Sequence, residues 1–254
     1  MEVFCFDFDG VVCDSAPETA LAAWNACQTL WPEDSAPLPE ALQQRFCVLR
    51  PVMHTGYEAV PLMRLIKDGA VDDAGIMDGF DALRDRFIER EGLSIDRLQQ
   101  VFGAARDSLI AADQAQWLRW NRFYPGMGEA LGAAIERHPL YIVTTKQERF
   151  VELLLGHHQL QLPSGRIFGL ERKRSKPEIL AELTAMPDLE GGKFHFIEDR
   201  LDTLLKVMKL PALDRVALYL VDWGYNTPAQ REQAARTGRI KVVSMDQFRG
   251  MHGF

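Results

Sequence analysis

The chemistry of this chain is read first from Asp7 and Asp9, in the segment Asp7-Phe8-Asp9-Gly10 that directly follows the apolar run Val3–Phe6. Such a run reads as a buried strand, and open α/β sheets bind their ligands at the carboxyl ends of strands. With one residue between them, two carboxylates on extended backbone address the same side. Two anions brought together need a proton or cation between them, and a hard, oxygen-seeking metal such as Mg2+ suits carboxylates. The pair equally suits a turn after a strand, a common use of Asp. It is the only Asp-x-Asp in the chain.

Further apolar runs of strand character lie at Leu140–Val143, Phe194–Ile197, Val216–Val221 and Ile240–Val243, with helical patterns between most of them. From residue 125 onward this alternation predicts a parallel α/β sheet. The chain between the first and second strands differs in kind, being helical in period and too long for a crossover. Ser15-Ala16-Pro17-Glu18 has the spacing of a capping box with Pro in the first turn, which predicts a helix running towards Leu30. Phe80, Leu83 and Phe87 share one helical face, and Leu98, Phe102, Ala105 and Leu109 another. The segments Leu30–Pro39 and Gly69–Gly79 divide this helical region, and Tyr124-Pro125-Gly126 marks its exit. The expected architecture is an α/β core with a parallel sheet at 1–15 and 125–254, and an all-α insert at 16–124. No internal repeat is visible.

Composition narrows the partners. The 254 residues are 47% hydrophobic and 26% charged, as in ordinary globular proteins. Twenty-nine Lys and Arg against 36 Asp and Glu leave a net charge of −7, which argues against a broad basic face for nucleic acid or anionic lipid. Cys5, Cys13, Cys27 and Cys47 contain no Cys-x-x-Cys pair and read as reduced thiols rather than a disulfide framework or zinc site. No run approaches the ~18 apolar residues of a membrane span, and Asp7 and Asp9 interrupt anything like a signal-peptide core, so a cytoplasmic protein is expected.

The segment Phe4-Cys5-Phe6-Asp7-Phe8-Asp9-Gly10-Val11-Val12-Cys13-Asp14-Ser15 resembles the first motif of the haloacid dehalogenase-like (HAD) hydrolase superfamily. That resemblance implies a Rossmann-like core. It makes Asp7 the nucleophile that attacks phosphorus, and Asp9 the acid that protonates the leaving group and then activates water. Tyr141-Ile142-Val143-Thr144-Thr145-Lys146 is similar to the second motif, with Thr144 and the main chain at Thr145 binding the phosphoryl group. Ser175-Lys176-Pro177-Glu178 is similar to the third, with Lys176 offsetting the gathered negative charge. Phe196-Ile197-Glu198-Asp199-Arg200-Leu201-Asp202 resembles the fourth in its Glu-Asp form. The implied metal ligands are Asp7, Asp9, Asp199 and Glu198, with Asp199 favoured over Glu198 and Asp202 read as a helix N-cap. Blander readings stand beside these: Thr144 as a β-branched strand end, and Lys176 as one more solvated cation after Arg172-Lys173-Arg174.

The helical insert matches the superfamily's helical cap domain. Tyr124-Pro125-Gly126-Met127 and Val221-Asp222-Trp223-Gly224-Tyr225 look like segments of its phosphoglycolate-phosphatase-like and phosphoglucomutase-like branch. The implied activity is Mg2+-dependent hydrolysis of a small phosphorylated metabolite through an aspartyl-phosphate. Alternatives are a phosphosugar mutase on the same motifs, a metal-independent dehalogenase, which Asp9 disfavours, or a binding protein on the same scaffold. In the insert, Arg50 and His54 flank a Gly-containing turn, His54-Thr55-Gly56-Tyr57-Glu58, and are the candidate specificity residues; a surface cation and an ordinary loop residue are the competing readings. Trp117 and Trp120, spaced i, i+3, read as packing.

Overall fold

The computed structural model describes residues 1–32, 36–163 and 165–251, in two units: Met1–Asp14 with Phe123–Phe254, and Ser15–Arg122. Residues 33–35, inside the expected Leu30–Pro39 break, lie outside the described residues.

In the first unit, β1 (Glu2–Phe6) is buried from Val3 to Phe6. Such a run of consecutive apolar residues is what a strand covered on both faces requires. After β2 (Cys13–Asp14) and β3 (Arg122–Phe123), helices alternate with strands. They are α6 (Met127–Arg137), β4 (Leu140–Val143), α7 (Glu148–His157), β5 (Ile167–Phe168), α8 (Lys176–Thr184), β6 (Lys193–Glu198), α9 (Leu201–Met208), β7 (Ala217–Val221), α10 (Pro228–Arg236), β8 (Ile240–Val243) and α11 (Met245–Gly250), with α1–α5 in the second unit. The six-stranded sheet has the order β5-β4-β1-β6-β7-β8 and is parallel throughout. From β1 the chain goes to β4 and β5 on one side, then returns to β6 and continues through β7 and β8 on the other. The switch point falls between β1 and β6, the position where such sheets form a crevice at their carboxyl ends. One face of the sheet is packed by Phe196, Leu218 and Leu220 against Ile179, Leu180 and Leu204 of α8 and α9. Strand β5 escaped the sequence reading because two residues, Ile167 and Phe168, make too short a run to show a period.

The second unit is all helical: α1 (Ala16–Leu30), α2 (Glu40–Leu49), α3 (Ala59–Asp68), α4 (Asp73–Arg90) and α5 (Ile95–Trp120). Trp24, Phe46, Met63, Phe80 and Phe102 lie in its core. The expected break over Gly69–Gly79 is shorter than predicted. Helix α3 stops at Gly69, but α4 begins at Asp73, with Asp72 capping Gly75 N–H, and merely bends at Gly79. Among the described residues no helix is long and apolar enough to cross a membrane.

The start of α1 corrects the capping-box reading. Ser15 precedes the helix, but its side chain makes no capping hydrogen bond. Glu18 turns inward instead and is fully buried. Its Oε1 and Oε2 accept from Arg106 Nε at 2.9 and 3.2 Å, and Oε2 accepts from Arg106 Nη2 at 2.8 Å. The Trp117 indole also donates to Oε1 at 3.0 Å, so Trp117 both packs and makes a polar contact. A forked guanidinium matches a carboxylate with two parallel donors, which fixes α5 against α1 in one register. Glu18→Ala should cost about 3–5 kcal/mol in urea unfolding, because it leaves Arg106 buried without its counter-charge. A loss near the ~1 kcal/mol of a missing cap would show that Glu18 acts only locally.

Candidate active site

Asp7 is held by the sheet itself. Its N–H donates to the Ile197 carbonyl at 2.9 Å, which carries the β1–β6 ladder one residue past Phe6 and leaves the residue 6% exposed. On the neighbouring strand β6 ends at Glu198, so Glu198 and Asp199 reach the same crevice. Lys176 is the first residue of α8, whose start is fixed by a reciprocal box between Ser175 and Glu178 with Pro177 in the first turn. From there Lys176 Nζ lies 2.9 Å from Asp7 Oδ1 and 2.8 Å from Glu198 Oε2. The second oxygen of Glu198 accepts from the N–H groups of Asp199 and Arg200 at 3.1 and 3.0 Å.

Asp199 is set from a second loop. The Tyr225 N–H donates to Asp199 Oδ2 at 2.8 Å, and Asn226 Nδ2 donates to the Asp199 and Val221 carbonyls at 2.9 and 2.8 Å. Two glycines permit this approach. Gly10 has φ +88°, and a Cβ there would lie 2.2 Å from Asp199 Oδ2; a Cβ on Gly224 would lie 2.3 Å from Asp199 Cβ. Tyr225 lies in the segment Val221–Tyr225 but has no role in the sequence reading, because it acts through its backbone N–H, and Asn226 goes unnoticed there, because its side-chain amide serves carbonyls that no spacing announces.

Carboxylate oxygens of Asp7, Glu198 and Asp199 all lie within 4.8 Å of one another, the one such acidic cluster among the described residues. Burial pushes the Asp7 carboxyl up to about 7, with Lys176 acting against the rise and Glu198 adding to it. Glu198 is likewise pushed up to about 7 by burial, opposed by Lys176 and reinforced by Asp199. Asp199 is raised by burial and by Asp7. Burial alone would lower the Lys176 ammonium, but Asp7 and Glu198 together hold it above its ordinary value. Asp199 Oδ1 is buried and has no hydrogen-bond partner. An all-oxygen donor set with one buried oxygen unsatisfied fits a hard divalent cation.

The other expected site residues divide. Thr144 follows β4, which pairs with β1 through Phe6↔Ile142, and is buried at the same edge of the sheet. Thr145 is exposed in the bend that follows. Asp9 lies outside the acidic cluster: its carboxylate is 3.0 Å from Lys146 Nζ, a buried lysine that the sequence reading passed over. Nothing in Thr144-Thr145-Lys146 distinguishes such a lysine from a solvated one. Asp202 is not the N-cap of α9; Arg200 holds that position, and Asp202 is an exposed residue of the first turn. Arg50 and His54 belong to the helical unit. Arg50 opens a short 3-10 turn and His54 is exposed, 3.8 Å from Asp81. The segment after His54 is organised by buried Glu58, which accepts from the His54 and Thr55 N–H groups and pairs with Arg84.

No protein-family model matches the sequence, and no curated protein matches it. Solved structures do. A haloacid dehalogenase-like hydrolase from Streptococcus pneumoniae superposes with a TM-score of 0.58 at 14% identity, covering 99% of this chain and 97% of that one. A predicted phosphatase from Clostridium acetobutylicum superposes with a TM-score of 0.58 at 17% identity, covering 98% and 96%. A protein from Thermotoga maritima named as a candidate beta-phosphoglucomutase gives 0.56 at 17% identity, covering 96% and 94%. The chain has the haloacid dehalogenase-like fold. The match spans nearly the whole of each chain, and at these identities it is a statement about architecture.

The raised carboxyls carry a pH dependence. Asp7 and Glu198 ordinarily titrate at 3.8 and 4.5 but here at about 7, so between those values the folded chain holds more protons than the unfolded one. Stability from these groups is then full below the ordinary values and is lost as pH rises through about 7. In the presence of chelator, melting temperature should fall from about pH 5 to about pH 8, and Asp7→Asn should flatten that fall. Mg2+ should raise it more at the higher pH. A melting temperature that rises over this range in chelator, with Asp7→Asn no different, would contradict the assignment.

Proposed function

We propose that this chain is a Mg2+-dependent phosphatase that hydrolyses a small phosphorylated metabolite through an aspartyl-phosphate on Asp7. The observation that supports this most is the Lys176 ammonium bridging Asp7 and Glu198 beside the unsatisfied oxygen of Asp199. In this reading Asp7 attacks phosphorus from the side opposite the leaving alcohol, which turns one difficult displacement into two easier ones. Lys176 favours the ionised, nucleophilic form of Asp7 against the rise that burial imposes, and would face the oxygens of the transferring group. The Thr144 hydroxyl and the main chain at Thr145 complete the cradle for those oxygens. Asp9 gives a proton to the departing alcohol and later takes one from the water that opens the aspartyl-phosphate.

Asp7, Asp199 and, through its water shell, Glu198 would hold Mg2+, which when bound supplies charge neutralisation for the phosphoryl group. The all-carboxylate donor set favours Mg2+ over softer metals. Arg50 and His54 remain the proposed contacts for the substrate's organic part.

The test is phosphate release from a panel of small phosphoesters with Mg2+ or with chelator. Turnover should require Mg2+ and fall by more than about 10³-fold in Asp7→Asn. Adding hexose 1-phosphates to the panel reads out a mutase directly, as an isomeric sugar phosphate in place of free phosphate. Turnover that survives chelator and Asp7→Asn would remove the proposal. Arg50→Ala should raise KM on the preferred ester by roughly tenfold with kcat little changed, the pattern of lost uniform binding.

A further inference from the structure

The site contains a second buried lysine that none of the roles above employs. Lys146 is 3% exposed, and its Nζ lies 3.0 Å from Asp9 Oδ1 and 3.4 Å from Asp9 Oδ2. Burying an ammonium is unfavourable unless an anion meets it, so this contact is built rather than incidental. Both partners stand on fixed backbone. The Lys146 N–H donates to Thr144 Oγ1 at 3.2 Å, and its carbonyl accepts from Leu170 N–H at 3.0 Å. A Cβ on Gly169 would lie 2.6 Å from that carbonyl, so the glycine allows the two loops to close on each other. On the other side, the loop that carries Asp9 is tied by Gly10 N–H to the Cys13 carbonyl at 2.8 Å and by Cys13 N–H to the Phe8 carbonyl at 3.0 Å.

We propose that Lys146 is a positioning residue for Asp9, holding its carboxyl in the orientation from which it delivers a proton to the leaving alcohol. The two lysines then divide the site: Lys176 serves Asp7 and Glu198, and Lys146 serves Asp9. As the bond from phosphorus to the alcohol oxygen breaks and the bond to Asp7 forms, the Asp9 proton passes to that oxygen. Asp9 is left as a carboxylate with an ammonium already against it, so no reorganisation is needed at the moment of transfer. This inference rests on the phosphatase reading.

The experiment compares p-nitrophenyl phosphate, whose leaving group needs no proton, with benzyl phosphate, whose leaving group does. It reads kcat/KM, which covers the steps up to departure of the alcohol. With Mg2+ present, Lys146→Met and Asp9→Asn should each lose at least about tenfold more on benzyl phosphate than on p-nitrophenyl phosphate, the scale of a positioned acid. The double variant should be no slower than Asp9→Asn alone. Lys146→Arg, which keeps the charge but moves its donors, should show the same selectivity and serves if Lys146→Met does not fold. Equal losses on the two esters, or losses that multiply in the double variant, overturn the Lys146 role alone. Absence of Mg2+-dependent turnover of both esters by the unsubstituted protein overturns the phosphatase reading, and the proposal with it.

Discussion

The meeting of two motifs at the carboxyl edge of the sheet depends on one ammonium placed among buried carboxylates. Asp7, Glu198 and Asp199 come within 4.8 Å of one another, and burial makes their mutual repulsion expensive. Lys176 relieves part of it by contacting two of the three. Strand order then has a physical purpose. Only where β1 and β6 lie side by side at the switch point can acids from two separate motifs converge, and only a helix starting at that edge can bring the lysine between them.

The remaining acid is handled differently. Asp199 is set by the N–H of Tyr225 and the amide of Asn226, both from the loop after β7, and its approach is possible because Gly10 and Gly224 carry no side chains. Asn226 is in turn held by Arg231 Nη1 at 2.9 Å. Three loops, after β1, β6 and β7, therefore surround one carboxylate whose buried Oδ1 has no hydrogen-bond partner. Such rigidity lowers the reorganisation needed when a ligand arrives.

The α/β class was legible because the strands are covered on both faces, and unbroken apolar runs are the mark of that burial. Leu140–Val143 and Ile240–Val243 have their observed bounds in the sequence. Less could be read where partners lie far apart along the chain. Ser15-Ala16-Pro17-Glu18 has the pattern of a local cap, yet Glu18 is claimed by Arg106 in another helix, and no short-range spacing signals that. Lys146 was hidden for the same reason, since its partner Asp9 precedes it by an entire inserted unit. Asp202 misled through position: an acid near a helix start reads as a cap, whereas the chain turns into α9 at Arg200. In each case the pattern gave the residue's type, and long-range packing decided its use.

Lys176 also sets a local preference against a global one. A cation in the first turn sits at the positive end of the helix macrodipole, the end that favours anions. Ser175 and Glu178 compensate locally, but the position becomes favourable only once Asp7 and Glu198 stand opposite. The first turn of α8 is thus conditional on a contact between strands distant in sequence. In landscape terms it is a small island of frustration at the centre of an otherwise consistent fold. It couples the two: a change that loosens the pairing of β1 with β6 also withdraws the counter-charges on which the amino end of α8 depends.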